Sequence, residues 1–301
     1  MSAPTRIIDS HQHVFWHGRD DAGLVANLDE QGIAQAVLLN WDILDTDYTG
    51  TPERVYDPAR AEPLAASPGL PFADAVTAAR RYPDRFILGY CPHPLGRDPV
   101  ERLAAAVEMY GVRICGEWKA RIGLDDPRCL ELFRFCGQRR LAVVFHIDVP
   151  YRPDPQTGKP VYYAEWYGGT IDNLARALTA CPETVLIGHG PGFWRCISSD
   201  CDTAPEGYPP RPVTEPGPLL AMFDQFPNLC ADLSGFSGLN AISRSPDFGR
   251  KFLIDHHDRL LFGRDYYDGR LHAFLQSVDL PAEVAEDIYH RNIERVLRIE
   301  A

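Results

Sequence analysis

The stretch Ile7-Ile8-Asp9-Ser10-His11-Gln12-His13 ends a short apolar run near the start of the chain with two imidazoles two residues apart. In an extended strand, side chains at i and i+2 share a face, so His11 and His13 would stand side by side with Asp9 below them. Two neutral imidazoles aimed at one point can chelate a transition metal. A chain of 301 residues with ten His meets this spacing readily by chance, so its meaning rests on what recurs downstream.

Downstream the chain alternates. Runs rich in Val, Ile, Leu and Phe fall at 6–13, 34–40, 85–91, 112–119, 141–148, 184–189, 229–234 and 259–265. Helical patterns lie near 23–32, 72–82, 98–110, 126–140, 170–181, 217–226, 246–258 and 282–298. Asp98-Pro99 and Asp126-Pro127 each place a capping Asp before a Pro at the first helical position. Leu103, Val107 and Tyr110 give one helix an apolar stripe, and Pro182 and Pro227 follow helices as stops.

Eight strands and eight helices in strict order predict an α/β protein, a (β/α)8 TIM barrel, as one domain over residues 1–301. The competing architecture is a doubly wound open sheet, but no Gly-x-Gly-x-x-Gly turn follows the first strand. The long segments 41–70, 149–168 and 190–216 each follow a strand and precede a helix. In a barrel they gather at the C-terminal face of the strands, where barrel enzymes keep their chemistry.

Thirty Lys and Arg against 42 Asp and Glu leave a net charge of −12, which disfavours nucleic acid and anionic membranes as partners. No apolar run is long enough to span a bilayer, and the first six residues are too short and polar for a signal peptide. Eight Cys without a Cys-x-x-Cys pair read as free thiols of a reduced cytoplasmic protein, although Cys196 and Cys201 are close enough in sequence to pair or bind a metal.

Three later strands end in polar residues. They are Val143-Val144-Phe145-His146, Val185-Leu186-Ile187-Gly188-His189 and Leu260-Leu261-Phe262-Gly263-Arg264-Asp265. Burying such groups without partners is costly, so their recurrence at C-terminal strand ends points to one shared metal site with His11 and His13. Strand four carries Glu117 and Lys119 on a common face: metal residues, an ion pair lining the pocket, or a lysine for a substrate carboxylate. His93 reads as a rim residue. His17, His256, His257, His272 and His290 read as surface or packing residues. Tyr162, Tyr163, Trp166, Tyr167, Phe193 and Trp194 crowd two long loops, where they either bury the insertions or wall a pocket.

This ordered set resembles the amidohydrolase superfamily. Gly188-His189-Gly190-Pro191-Gly192-Phe193-Trp194 and Phe262-Gly263-Arg264-Asp265-Tyr266 look most like its amidohydrolase-2, or amidohydrolase-related, branch. The resemblance implies a divalent metal, zinc above all, as one or two ions held by His11, His13, His146 and Asp265, with Glu117 beside them. It implies that His189 binds a second metal or acts as an acid/base, and that Asp265 moves a proton. Arg264 stands where a small Ser or Thr is common in the branch.

Such enzymes include hydrolases, nonoxidative decarboxylases and hydratases. The leading expectation is a metal-dependent hydrolase of a small carboxylated or cyclic molecule, with Lys119, Arg121 and Trp194 as substrate contacts and Arg195 as a further cation for a carboxylate. A decarboxylase or hydratase is the alternative, and a non-catalytic metal-binding protein the rival from another class. A homo-oligomer is the generic expectation.

Overall fold

Eight short strands carry the fold in the computed structural model, which describes residues 4–44, 69–164 and 166–299. They are β1 (Ile8–Gln12), β2 (Gln35–Leu38), β3 (Phe86–Leu88), β4 (Ile114–Trp118), β5 (Ala142–His146), β6 (Leu186–His189), β7 (Leu229–Asp232) and β8 (Leu260–Leu261). β1–β2–β3 and β4–β5–β6–β7–β8 pair in parallel, in chain order. At one seam Gly89 bridges Ile114, Arg113 N donates to Leu88 O, and Tyr90 N donates to Ile114 O. At the other seam Ser10 N donates to Phe262 O and Asp265 N to His11 O. The result is the expected (β/α)8 TIM barrel.

Alternation along the strands sorts two apolar layers. Ile8, Val37, Ile114, Ala142, Val144, Ile187, Cys230 and Leu261 fill the barrel interior, joined by Ile293 and Leu297 of the C-terminal helix Asn292–Leu297. Their neighbours Ala36, Leu38, Cys115, Val143, Phe145, Leu186, Ala231 and Leu260 pack outward against the helices. Asp126 caps the helix Pro127–Arg139 as expected, its side chain accepting from Arg128 N. Asp98 precedes the helix Pro99–Tyr110 without a side-chain capping bond; it adopts a left-handed backbone and meets Arg97 instead.

Register shifts interrupt the pattern in β1, between Asp9 and Gln12, and in β4, between Cys115 and Trp118. A bulge resets which residues face inward: Ile8 fills the interior and Asp9 points outward, and the irregularity after Asp9 gives His11 and His13 a different facing from it. Asp9 does not lie beneath the two histidines. Its carboxylate takes Arg264 Nε at 2.6 Å and Gln12 Nε2 at 2.9 Å, and Arg264 reaches on to Asn27 of the helix Asp21–Glu30. Arg264 therefore faces the helix layer, with Asp9 as its buried counter-ion.

Of the three long loops, residues 45–68 lie outside the described part. The loop after β5 folds into an antiparallel pair, Tyr151–Pro153 with Pro160–Tyr162. The excursion after β6 begins with the helical turn Pro191–Trp194 and rejoins the barrel at the helix Pro218–Gln225. All eight cysteines are free and buried, so Cys196 and Cys201 do not form a disulfide. Among the described residues, no helix is long and apolar enough to cross a membrane.

Candidate active site

The C-terminal strand ends bring His11, His13, Glu117, His189 and Asp265 together. His11 Nε2 lies 3.2 Å from His13 Nε2, and Asp265 Oδ1 lies 3.3 Å from His13 Nε2 and 3.8 Å from His11 Nε2. Glu117 faces them across the mouth, its Oε2 4.0 Å from His11 Nε2 and 3.8 Å from His13 Nε2, and its Oε1 3.9 Å from His189 Nε2. Two sets of donors, His11/His13/Asp265 and His11/Glu117/His189, each converge closely enough to hold one cation. Metal bonds of ~2.1 Å at tetrahedral or octahedral angles separate adjacent donors by roughly 3.0–3.4 Å. The closest pairs match this spacing, so the donor set fits a divalent ion. Two unprotonated imidazole nitrogens at 3.2 Å repel, and only a shared proton or a cation reconciles them.

One carboxylate orients two of these imidazoles. Asp232, at the end of β7 and fully buried, accepts from His11 Nδ1 at 2.8 Å through Oδ2 and from His189 Nδ1 at 3.0 Å through Oδ1. Ser234 Oγ sits 2.5 Å from the same Oδ1, and Trp194 Nε1 donates to the Asp232 main-chain oxygen at 3.0 Å. His13 is fixed separately, its Nδ1 2.8 Å from Leu39 O. With each Nδ1–H spent in this way, Nε2 is left to face the cluster.

Charge in this buried space is tightly balanced. Burial opposes a charge on His11, but Asp232, with Asp265 and Glu117 behind it, pushes its pKa up to about 9. Burial and the nearby His11 move His189 down against the pull of Asp232. Burial would raise Asp232 and Asp265. The histidines instead hold Asp232 well below the carboxylate range and Asp265 down at about 2. Glu117 is likewise held low against its burial by Lys119, His146 and His11.

His146 stands outside both donor sets. Its Nδ1 lies 2.7 Å from Glu117 Oε1 and its Nε2 3.3 Å from Asp148 Oδ2, so both ring nitrogens are engaged. The expected ligand His146 thus sits behind Glu117, while His189 Nε2 belongs to one of the two converging donor sets. Asp148 continues the chain to Arg152 at 2.7 Å. Burial and Lys119 disfavour a charge on His146, but Asp148 and Glu117 raise its pKa above the ordinary value.

Of the expected substrate contacts, Lys119 enters the mouth. Its Nζ lies 3.9 Å from Glu117 Oε1, 4.6 Å from the centre of the Trp41 ring and 5.3 Å from that of Tyr167. Trp194 does not line the mouth: it is fully buried, hydrogen-bonded to β7 and packed on Phe193 and Phe252. Arg195 is buried too and braces its own loop through the carbonyls of Cys201 and Ala204. Arg121 is half-buried, and no described contact ties it to the histidines. His93 is buried in the loop after β3, where its ring accepts from Leu95 N.

Asp232 and Asp148 were not singled out from sequence. Both were findable by the rule that identified the histidines. Asp232 ends the apolar run Leu229-Cys230-Ala231, and Asp148 lies one strand step beyond His146.

The description Amidohydrolase (Amidohydro_2) matches residues 8–299. The chain belongs to this family. Family members are enzymes, among them hydrolases and decarboxylases. Among similar structures, 5-carboxyvanillate decarboxylase from Sphingomonas paucimobilis is 14% identical, with 98% of this chain and 99% of that one covered at a TM-score of 0.61. A candidate 2-pyrone-4,6-dicarboxylic acid hydrolase from Acinetobacter baumannii, with citric acid bound, is 14% identical over 98% and 100% at 0.58. A dihydroxybenzoic acid decarboxylase from Polaromonas sp. JS666, with bound manganese and 2-nitroresorcinol, is 14% identical over 98% of each chain at 0.56. At these identities the likeness shows a shared fold. No functionally curated protein matches this sequence.

Proposed function

We propose that this protein is a metal-dependent hydrolase of a small carboxylated ring compound, with zinc as its resident ion. The observation that carries the reading is the place of Lys119: an ammonium group near the Trp41 and Tyr167 rings and 3.9 Å from Glu117 Oε1, which itself joins a candidate donor set. Aromatic walls with one cation suit a flat substrate bearing a carboxylate. A divalent ion held by His11, His13 and Asp265, with Glu117 and His189 next to it, would supply an activated water and polarise a carbonyl.

The chain's own residues do the rest. Asp265, ionised at neutral pH, accepts the proton released by water at its carboxylate. His189, fixed by Asp232 and Ser234, holds Nε2 toward the reacting centre. Lys119 anchors the substrate carboxylate. Eight free buried thiols suit a reducing compartment, and we place the enzyme in the cytoplasm.

A second reading, nonoxidative decarboxylation, draws on His146, which lies between two carboxylates with its pKa raised and could deliver a proton to carbon. Turnover of lactones and of carboxylated aromatics in 18O-labelled water separates the two. Label entering the product supports hydrolysis, and carbon dioxide released without label uptake sinks it. Lys119→Gln is expected to raise KM for a carboxylated substrate at least tenfold with metal content unchanged.

A further inference from the structure

The barrel has a second mouth. At the N-terminal ends of β5 to β8, opposite the histidine cluster, a cavity of about 600 Å³ is lined by Arg140, Arg259, Arg295 and Arg298, with Cys230 and Ala142 among its apolar groups. Cys230 and Ala142 belong to the cluster filling the barrel interior, so the cavity opens into the barrel rather than furrowing its outer surface. Val296 of the C-terminal helix forms part of its wall.

Two of the arginines are already held in place. Arg259 donates to Phe223 O and lies 5.1 Å over the Phe223 ring, while Arg295 donates to Asp258 O and, at 3.1 Å, to Asn292 Oδ1. Each guanidinium has five N–H donors, so these bonds fix its position and leave others to use. Both act on the cavity floor: burial pushes the Cys230 thiol up, and Arg295 and Arg259 pull against that rise.

The other two are less committed. Arg140 and Arg298 take left-handed backbone conformations at the ends of the helices Pro127–Arg139 and Asn292–Leu297, and among the described residues neither guanidinium has an ion-pair partner. Glu183, Asp224 and Asp258 also line the cavity, with Asp258 3.7 Å from Arg259. In a chain of net charge −12, four arginines against three carboxylates leave this concavity with a small formal excess of positive charge.

We propose that this mouth binds a compact multivalent anion of the phosphate or small dicarboxylate type. Arg259 and Arg295 form its fixed cradle, and Arg140 and Arg298 close on it. Guanidinium groups bind both oxyanions through paired N–H donors, and preset ones lose little entropy on binding. The site is independent of the metal centre and of the reaction carried out there.

Titration calorimetry at low ionic strength, with pyrophosphate in one arm and succinate in the other, tests the proposal. We expect one equivalent of at least one anion to bind, and affinity to fall at least tenfold in each of Arg140→Gln and Arg298→Gln. Both exposed residues can be changed without opening the core, and unchanged thermal unfolding verifies the fold. Binding must persist in Asp265→Asn, because an anion seated on the metal centre would be lost there. Whichever anion binds identifies the ligand as phosphoryl or carboxylate. No binding of either at millimolar concentration, equal binding by the two arginine variants, or loss in Asp265→Asn would overturn it.

Discussion

Replacing Asp232 by Asn tests how the donor set is built, because one carboxylate aims two of its histidines. In the wild type each Oδ accepts from a different imidazole Nδ1, at 2.8 and 3.0 Å. An amide of the same shape offers one oxygen and one NH2. One imidazole keeps its acceptor, and the other has a donor facing a donor. That second ring relieves the clash by moving its proton to Nε2, the atom that faces the cluster, and so ceases to be a ligand. Each lost charge-assisted bond is worth ~1.5–3 kcal/mol, and loss of an orienting partner lowers metal affinity by roughly 10–100-fold. With one histidine misdirected and the other deprived of a charged partner, the upper end of that range is expected. Competition against a chelator of known affinity measures it. Asp9→Asn is the control, since Asp9 is equally buried but serves Arg264 rather than a histidine. The reasoning fails if Asp232→Asn binds metal within about threefold of wild type, or if Asp9→Asn weakens binding as much.

Other outcomes follow from single contacts. Trp194→Ala should cost about 3–5 kcal/mol of stability, read by denaturant unfolding, because it empties a buried ring site; KM should stay unchanged, since the ring lies outside the mouth. Arg264→Met leaves Asp9 as a buried, unpaired carboxylate, so a loss of about 3–5 kcal/mol is predicted by the same assay. In metal-stripped protein, His11 has its folded pKa raised from 6.5 to about 9. The stability it contributes, about 3 kcal/mol at most, is therefore complete below pH 6.5 and lost as pH rises through 9. Thermal unfolding of stripped protein should weaken across that window, and metal affinity should rise across it as the proton leaves His11.

The barrel was legible because its signal is redundant: eight apolar runs, each separated by a helical period, agree on one architecture even when individual boundaries move. The gathering of His11, His13, His189 and Asp265 followed from the same regularity, since polar groups ending parallel strands must meet at one face. Where the regularity breaks, the reading broke with it. The irregularity between Asp9 and Gln12 separates the facing of Asp9 from that of His11 and His13, and strand parity alone could not anticipate that. Trp194 and Arg195 sit in a loop that folds back into the core, so their side chains brace the fold although their chemistry suits a pocket. His146 was placed on the correct strand, yet its hydrogen bonds to Glu117 and Asp148 are side-chain pairings that strand order alone does not reveal.

Metal analysis of purified protein supplied with zinc tests the central claim most directly, with wild type, His13→Ala and Asp265→Asn compared side by side. At least one tightly held equivalent in the wild type, lost from both variants together with activity, is the predicted result. Wild-type protein that holds no metal yet turns over substrate in the presence of chelator, or variants that keep their full complement, would contradict it.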